Sequence, residues 1–223
     1  MDIHKPKPWG GWRELLKEVG TIVIGVLIAL GGEQAVEWAH WQVEVRNGRE
    51  HLREEISFDE RVYLHRADVA SCVSKNLTDL KVVLSGLRSY KHLDPIPDFV
   101  SPENGPVRHE IWNSLSAAQV LVHFPKDELR KYSQLYQYIE DAEYFMDRES
   151  RAWQQLHLFE GNLDQLSGQD KSTLRVALAD AREMSAGLAG ISRRQVDVGL
   201  ALGLKLPKPN PSWRRECEQI VHP

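Results

Sequence analysis

Glu37-Trp38-Ala39-His40 carries the Glu-x-x-His spacing that sets a carboxylate and an imidazole on one helix face, as in di-iron bundles. Such a centre needs a second Glu-x-x-His and two further glutamates on facing helices. This chain has no second copy, and the other histidines are scattered singly. Cys72 and Cys217 lie far apart without Cys-x-x-Cys spacing, which excludes zinc-knuckle and thioredoxin-type chemistry. Two readings of them stay open: one long-range disulfide in an oxidising compartment, or two unrelated thiols. There is no G-x-S-x-G elbow, no His-Glu-x-x-His and no phosphate loop. Glu54-Glu55 and Asp59-Glu60 form a charge run, most simply a solvated helix face. These residues predict no catalytic residue, no metal site, no cofactor and a non-enzymatic protein.

Composition narrows the class further. Charged residues make up 27% and hydrophobic residues 42% of the 223, which are ordinary globular values. The net charge is -4, with Lys and Arg dispersed, so nothing supplies the concentrated basic face that nucleic acid requires.

The elements that must position any site begin with GTIVIGVLIALGGE, Gly20 to Glu33. No charge stands between Glu18 and Glu33, a run worth roughly 21 Å of helix against a hydrocarbon core of roughly 30 Å. By that length alone it fits a buried helix or a signal-peptide core. The flanks change the reading. Leu15-Leu16 and Gln34-Ala35-Val36 extend it, and Trp9, Trp12, Trp38 and Trp41 bracket it. Trp12 to Trp38 is roughly 39 Å of helix, close to a bilayer measured to its headgroups. Tryptophan at both interfaces is the belt of a span. A signal peptide would have Lys5, Lys7 and Arg13 as its basic start and Ala29-Leu30-Gly31 at the cut, but leaves the paired tryptophans unexplained. We favour an uncleaved anchor over 15–38 following an N-terminal arm of 1–14. Lys5, Lys7, Arg13 and Lys17 stand on the N-terminal side, against Arg46 after the span with Arg49 and Arg53 close behind. The positive-inside rule then predicts a cytoplasmic N-terminus and a periplasmic domain. Gly25, Ala29 and Gly32 share one helix face, continued by Glu33, and small residues there let another helix approach. The bland alternative is the ordinary abundance of Gly and Ala in membrane helices.

After the anchor the pattern stays helical over 39–206. Leu52, Ile56 and Tyr63 lead to Ala70, Val73, Leu77, Leu80, Leu84 and Leu87, the last six at alternating spacings of 3 and 4. Asn47-Gly48 reads as a bend before that seam. Pro95, Pro97, Pro102 and Pro106 make 91–107 a loop. A second helix is predicted over 108–122 and a third over 126–166, with Leu129, Tyr132, Leu135, Tyr136, Ile139, Ala142, Glu143, Met146 and Trp153 along one stripe. Ser167-Gly168 reads as its end. A fourth is predicted over 171–204, with Leu174, Leu178, Ala181, Met184, Leu188, Ile191 and Val196 inward. Pro207, Pro209 and Pro211 open an irregular tail, 207–223.

Two places resemble a known group: Trp12-Arg13-Glu14 with Gly25 to Trp38 and Leu52-Arg53-Glu54-Glu55-Ile56, then Ile111-Trp112-Asn113-Ser114-Leu115 through Pro125, Leu129 and Leu135-Tyr136 to Arg151-Ala152-Trp153. The chain resembles uncharacterised bacterial proteins with one N-terminal span and a helical domain. It departs from their pattern at Ser57-Phe58-Asp59. The resemblance implies a topology and no activity.

The expected architecture is therefore all-α: an N-terminal transmembrane helix continuing into an antiparallel bundle of about four long helices. The expected role is a single-pass protein of the bacterial inner membrane, binding the bilayer and either a copy of itself or another membrane protein, as a scaffold or interaction subunit. The alternative is a periplasmic bundle that senses a small molecule and signals through a partner.

Overall fold

The computed structural model describes residues 11–86, 101–206 and 208. These are all-helical: α1 (Gly11–Gly86), α2 (Glu110–Ala117), α3 (Lys126–Leu156) and α4 (Gly168–Ala201), with 3-10 turns at Val120–His123, His157–Glu160 and Leu163–Gln165. The chain divides into two compact units, Met1–Asn47 and Gly48–Pro223.

In the first unit, α1 carries an 18-residue apolar window of mean hydropathy 1.9, with 0% of it buried inside the protein. A buried helix of a soluble core would hide that face, so this reading of the stretch fails on exposure. Thr21, the hydroxyl in this segment, donates to the Lys17 carbonyl at 2.9 Å, so it is satisfied within its own helix.

The second unit is a bundle in which chain neighbours run antiparallel. Arg49 meets Glu128 and Arg66 meets Glu149, so α1 and α3 run in the same direction. Lys131 reaches the carbonyl of Ala201, so α4 runs back against α3. The stretch from Asn104 to Phe124 descends between α1 and α3: Asn104 lies at Glu149, and Ile111 lies at Glu55. This return limb is the fourth element, although only eight of its residues form α2. One end of the bundle is apolar. There Val69, Val73, Leu77, Leu80 and Leu84 pack with Trp153, Leu156, Phe159, Leu163, Leu174 and Leu178. Four of the six seam positions are buried there; Ala70 is half-buried and Leu87 lies outside the described residues.

Several boundaries differ from expectation, each for a local reason. Gly48 remains helical rather than bending α1. A Cβ there would meet the Leu115 side chain at 3.1 Å, so the glycine serves close packing. The second helix stops at Ala117, because Gln119 turns left-handed (φ 60°) and sends Val120 and Leu121 into the core. The third stops at Leu156, where 3-10 turns let Phe159 and Leu163 join that core. Ser167 begins the fourth helix rather than ending the third. Its hydroxyl accepts from Asp170 N at 3.1 Å, and Asp170 accepts from Ser167 N at 2.9 Å, a capping box. Asp170 is accordingly held below the usual carboxylate range by the Ser167 bonds. α4 ends in a Schellman motif: Leu204 N donates to Gly199 O and Gly203 N to Leu200 O, with Gly203 at φ 74°. Within α4, Gln195 takes the buried place expected for Val196, which is half-buried. Leu129 and Glu143 are half-buried on α3, whereas Glu149, absent from the expected stripe, is fully buried. The tail from Pro207 lies outside the described residues, save Lys208.

Candidate functional site

The residues singled out from the sequence fall in both units. In the first, Trp12 is 74% and Trp38 66% exposed, and Trp41 is half-buried; Trp9 lies outside the described residues. Trp41 Nε1 donates to Glu37 Oε1 at 3.4 Å, and its ring lies 5.2 Å from that of His40. Gly25 and Gly32 have no heavy atom within 4 Å of a built Cβ, and Ala29 and Glu33 are exposed. Gly32, Glu33, Val36, Glu37 and His40 line an open groove of about 620 Å³ on the same helix. The Glu37 and His40 of the Glu-x-x-His motif thus share a face. Among the described residues no three His, Cys, Asp or Glu side chains converge to hold a metal ion. In the second unit Cys72 is disulfide-bonded. Cys217, the other cysteine of the sequence, lies outside the described residues.

The charge run on α1 is not a solvated face. Glu54 is exposed, but Glu55 is 6% exposed, and Asp59 and Glu60 are 0%. Together with Tyr63, His65, Arg66, Tyr136, Glu149, Ser192 and Gln195 they form a buried polar cluster at the other end of the bundle, set among Leu52, Ile56, Leu135, Ile139, Leu188 and Ile191. The periodicity already contained part of this. Continued backward at the same alternating spacing, the seam from Leu84 to Ala70 reaches Arg66, Tyr63, Asp59, Ile56 and Leu52. Arg66 and Asp59, both charged residue types, therefore sit on core positions.

Each carboxylate has a distinct task. Glu55 accepts from Ile111 N at 2.8 Å, from Trp112 N at 3.5 Å and from the Tyr136 hydroxyl at 2.6 Å. α2 lacks a side-chain cap of its own, so Glu55 satisfies its first free amides from a different helix. Burial, then the Glu55 bond, raises the Tyr136 hydroxyl above its ordinary range. Trp112 stacks on the Tyr136 ring at 4.6 Å, covering this cap. Asp59 accepts from Arg108 N at 3.0 Å through one oxygen, while its other oxygen is buried without a partner. The Arg108 guanidinium instead lies 3.6 Å over the Phe58 ring. Burial raises the Asp59 carboxyl to about 8 against the opposing pull of the Arg108 amide. Glu149 is held by Arg66 at 2.6 and 2.8 Å and by Asn104 at 3.4 Å. Glu60 has no hydrogen-bond partner at either oxygen, and burial raises it to about 7.

Chemically, this is a network for docking the return limb and closing the bundle. Glu55, Asp59 and Glu149 face backbone amides, a tyrosine hydroxyl, an asparagine and an arginine. No family model, curated protein or solved structure matches this chain.

Proposed function

We propose that the protein is a non-enzymatic, membrane-anchored helical-bundle protein that acts as a scaffold or interaction subunit in the inner membrane. The observation that carries this reading is the apolar window of α1, hydropathy 1.9 and 0% buried. Exposed to water, such a face would associate at once; a bilayer is the solvent that accommodates it. Trp12 and Trp38 stand exposed at its two ends, where indole rings favour the headgroup level. The basic residues before the span support a cytoplasmic N-terminus and a periplasmic domain. The Cys72 disulfide supports the same side, since disulfides persist in oxidising compartments. Gly25, Ala29 and Gly32 are the face on which a helix of another copy or another membrane protein would pack.

Alkaline extraction of membranes tests the anchor: the intact chain stays in the pellet, and its release into the supernatant would sink the reading. C-terminal reporter fusions read the orientation. A reporter active only outside the cytoplasm is expected, and one active only inside would reverse it.

A further inference from the structure

The polar end of the bundle contains one contact that the cap on α2 and the Arg66–Glu149 pair leave unexplained. Glu60 on α1 is fully buried against the last turns of α4. A Cβ added to Gly199 would lie 2.5 Å from Glu60 Oε1, so the carboxyl sits directly against the α4 backbone. One and two turns earlier on that face of α4 stand Gln195 and Ser192, both fully buried. Their side-chain polar atoms have no hydrogen-bond partner, and nor do Glu60 Oε1 and Oε2, Asp59 Oδ2 or the Tyr63 hydroxyl. Both sides of this seam are therefore polar and poorly satisfied, whereas the opposite end of the bundle is packed with aliphatic and aromatic side chains.

We propose that Glu60 is a proton-operated latch: as a neutral acid it lets the C-terminal end of α4 close on α1, and as a carboxylate it releases that end.

The surrounding charges leave it no other partner. On α1 the neighbouring groups are Glu55, Asp59 and Tyr63, which add negative charge or none, and Arg66, which is committed to Glu149. Arg53 points to the Leu202 carbonyl at 3.4 Å. On α3, Glu143 acts on Tyr63, the neighbour of Glu60, and Lys131 is committed to the Ala201 carbonyl at 3.1 Å. On the return limb Arg108 lies over Phe58. α4 itself presents Ser192, Gln195 and Gly199, with no charge. Removing a proton from Glu60 thus leaves a buried, uncompensated anion, which the fold relieves by letting water reach it. The end of α4 that the latch would release closes in the Schellman turn at Gly203, with Leu204 buried beside Gly199.

The direction with pH follows from linkage. Glu60 is raised from 4.5 to about 7 and Asp59 from 3.8 to about 8 by burial. Between those bounds the closed state holds more protons than the open one, so closure weakens as pH rises. It is fully favoured below the open-state values and most weakened above about 8.

Hydrogen exchange of the full chain in nanodiscs, corrected for intrinsic amide chemistry, tests this. Between pH 5 and 8.5, protection of residues 192–204 is expected to fall on the order of tenfold or more. Glu60→Gln should remove most of that fall, leaving only the part that Asp59 contributes. Flat protection in the natural protein, or an equal fall in Glu60→Gln, overturns the latch. If that variant does not fold, infrared spectroscopy of the natural protein at pH 6 decides. A protonated-carboxyl band that persists there and is lost through pH 7 to 8 is expected; its absence at pH 6 overturns the proposal.

Discussion

Arg66 and Glu149 are 2% and 0% exposed at their side chains and are joined at 2.6 and 2.8 Å. A buried pair of this kind contributes modestly as a pair, but either member alone is an uncompensated charge in the core. Arg66→Ala should therefore cost about 3–5 kcal/mol in urea unfolding, while Arg66→Met combined with Glu149→Leu should recover most of it. A double variant no more stable than the single one would show that the charges matter for more than their mutual burial. Gly199→Ala asks about the opposite kind of contact. Its methyl would sit 2.5 Å from Glu60 Oε1, so α4 must shift or the carboxyl must leave. The expected cost is about 1–3 kcal/mol, as for overpacking of a tight core, and Glu60→Ala in the same chain should relieve it. None of this was legible residue by residue. Glu55, Asp59 and Glu60 look like any solvated helical charge run, and single-residue reasoning assigns carboxylates to water because that is where most of them are.

The elements were more legible than their ends. α3 and α4 follow from apolar spacing, since helical periodicity is local and survives without tertiary context. Their boundaries follow from competing bonds. Ser167 and Asp170 are close in sequence, so the capping box is readable there, although Ser-Gly also reads as a stop because glycine weakens helices. Ser167→Ala should cost about 1 kcal/mol and lower the melting temperature by about 2–4 °C, with faster exchange confined to the first turn of α4. α2 is the reverse case. Its cap comes from Glu55, far away in sequence, and no local signal could have announced it. Glu55→Ala should cost about 1–3 kcal/mol and raise exchange at the first turn of α2 more than elsewhere. Uniform loss of protection would instead assign Glu55 to global stability alone.

For the whole molecule, the prediction concerns compartment. If the bundle lies outside the cytoplasm, Cys72 should resist alkylation in the protein isolated from membranes and react only after denaturation with reductant. Free reaction under native, non-reducing conditions would argue for a cytoplasmic domain. The sequence by itself determined the helical class, the apolar segment with its tryptophan bracket, and most of the hydrophobic seam. All of these are local patterns of residue type and period. It also carries the continuation of that seam through Arg66 and Asp59. What only the tertiary structure decided is which charges are inside. Burial is a property of what packs against a residue, and here the covering elements, the return limb and the end of α4, reach α1 from across the chain. The buried polar cluster, with Glu60 pressed against Gly199, exists only once those distant segments are in place.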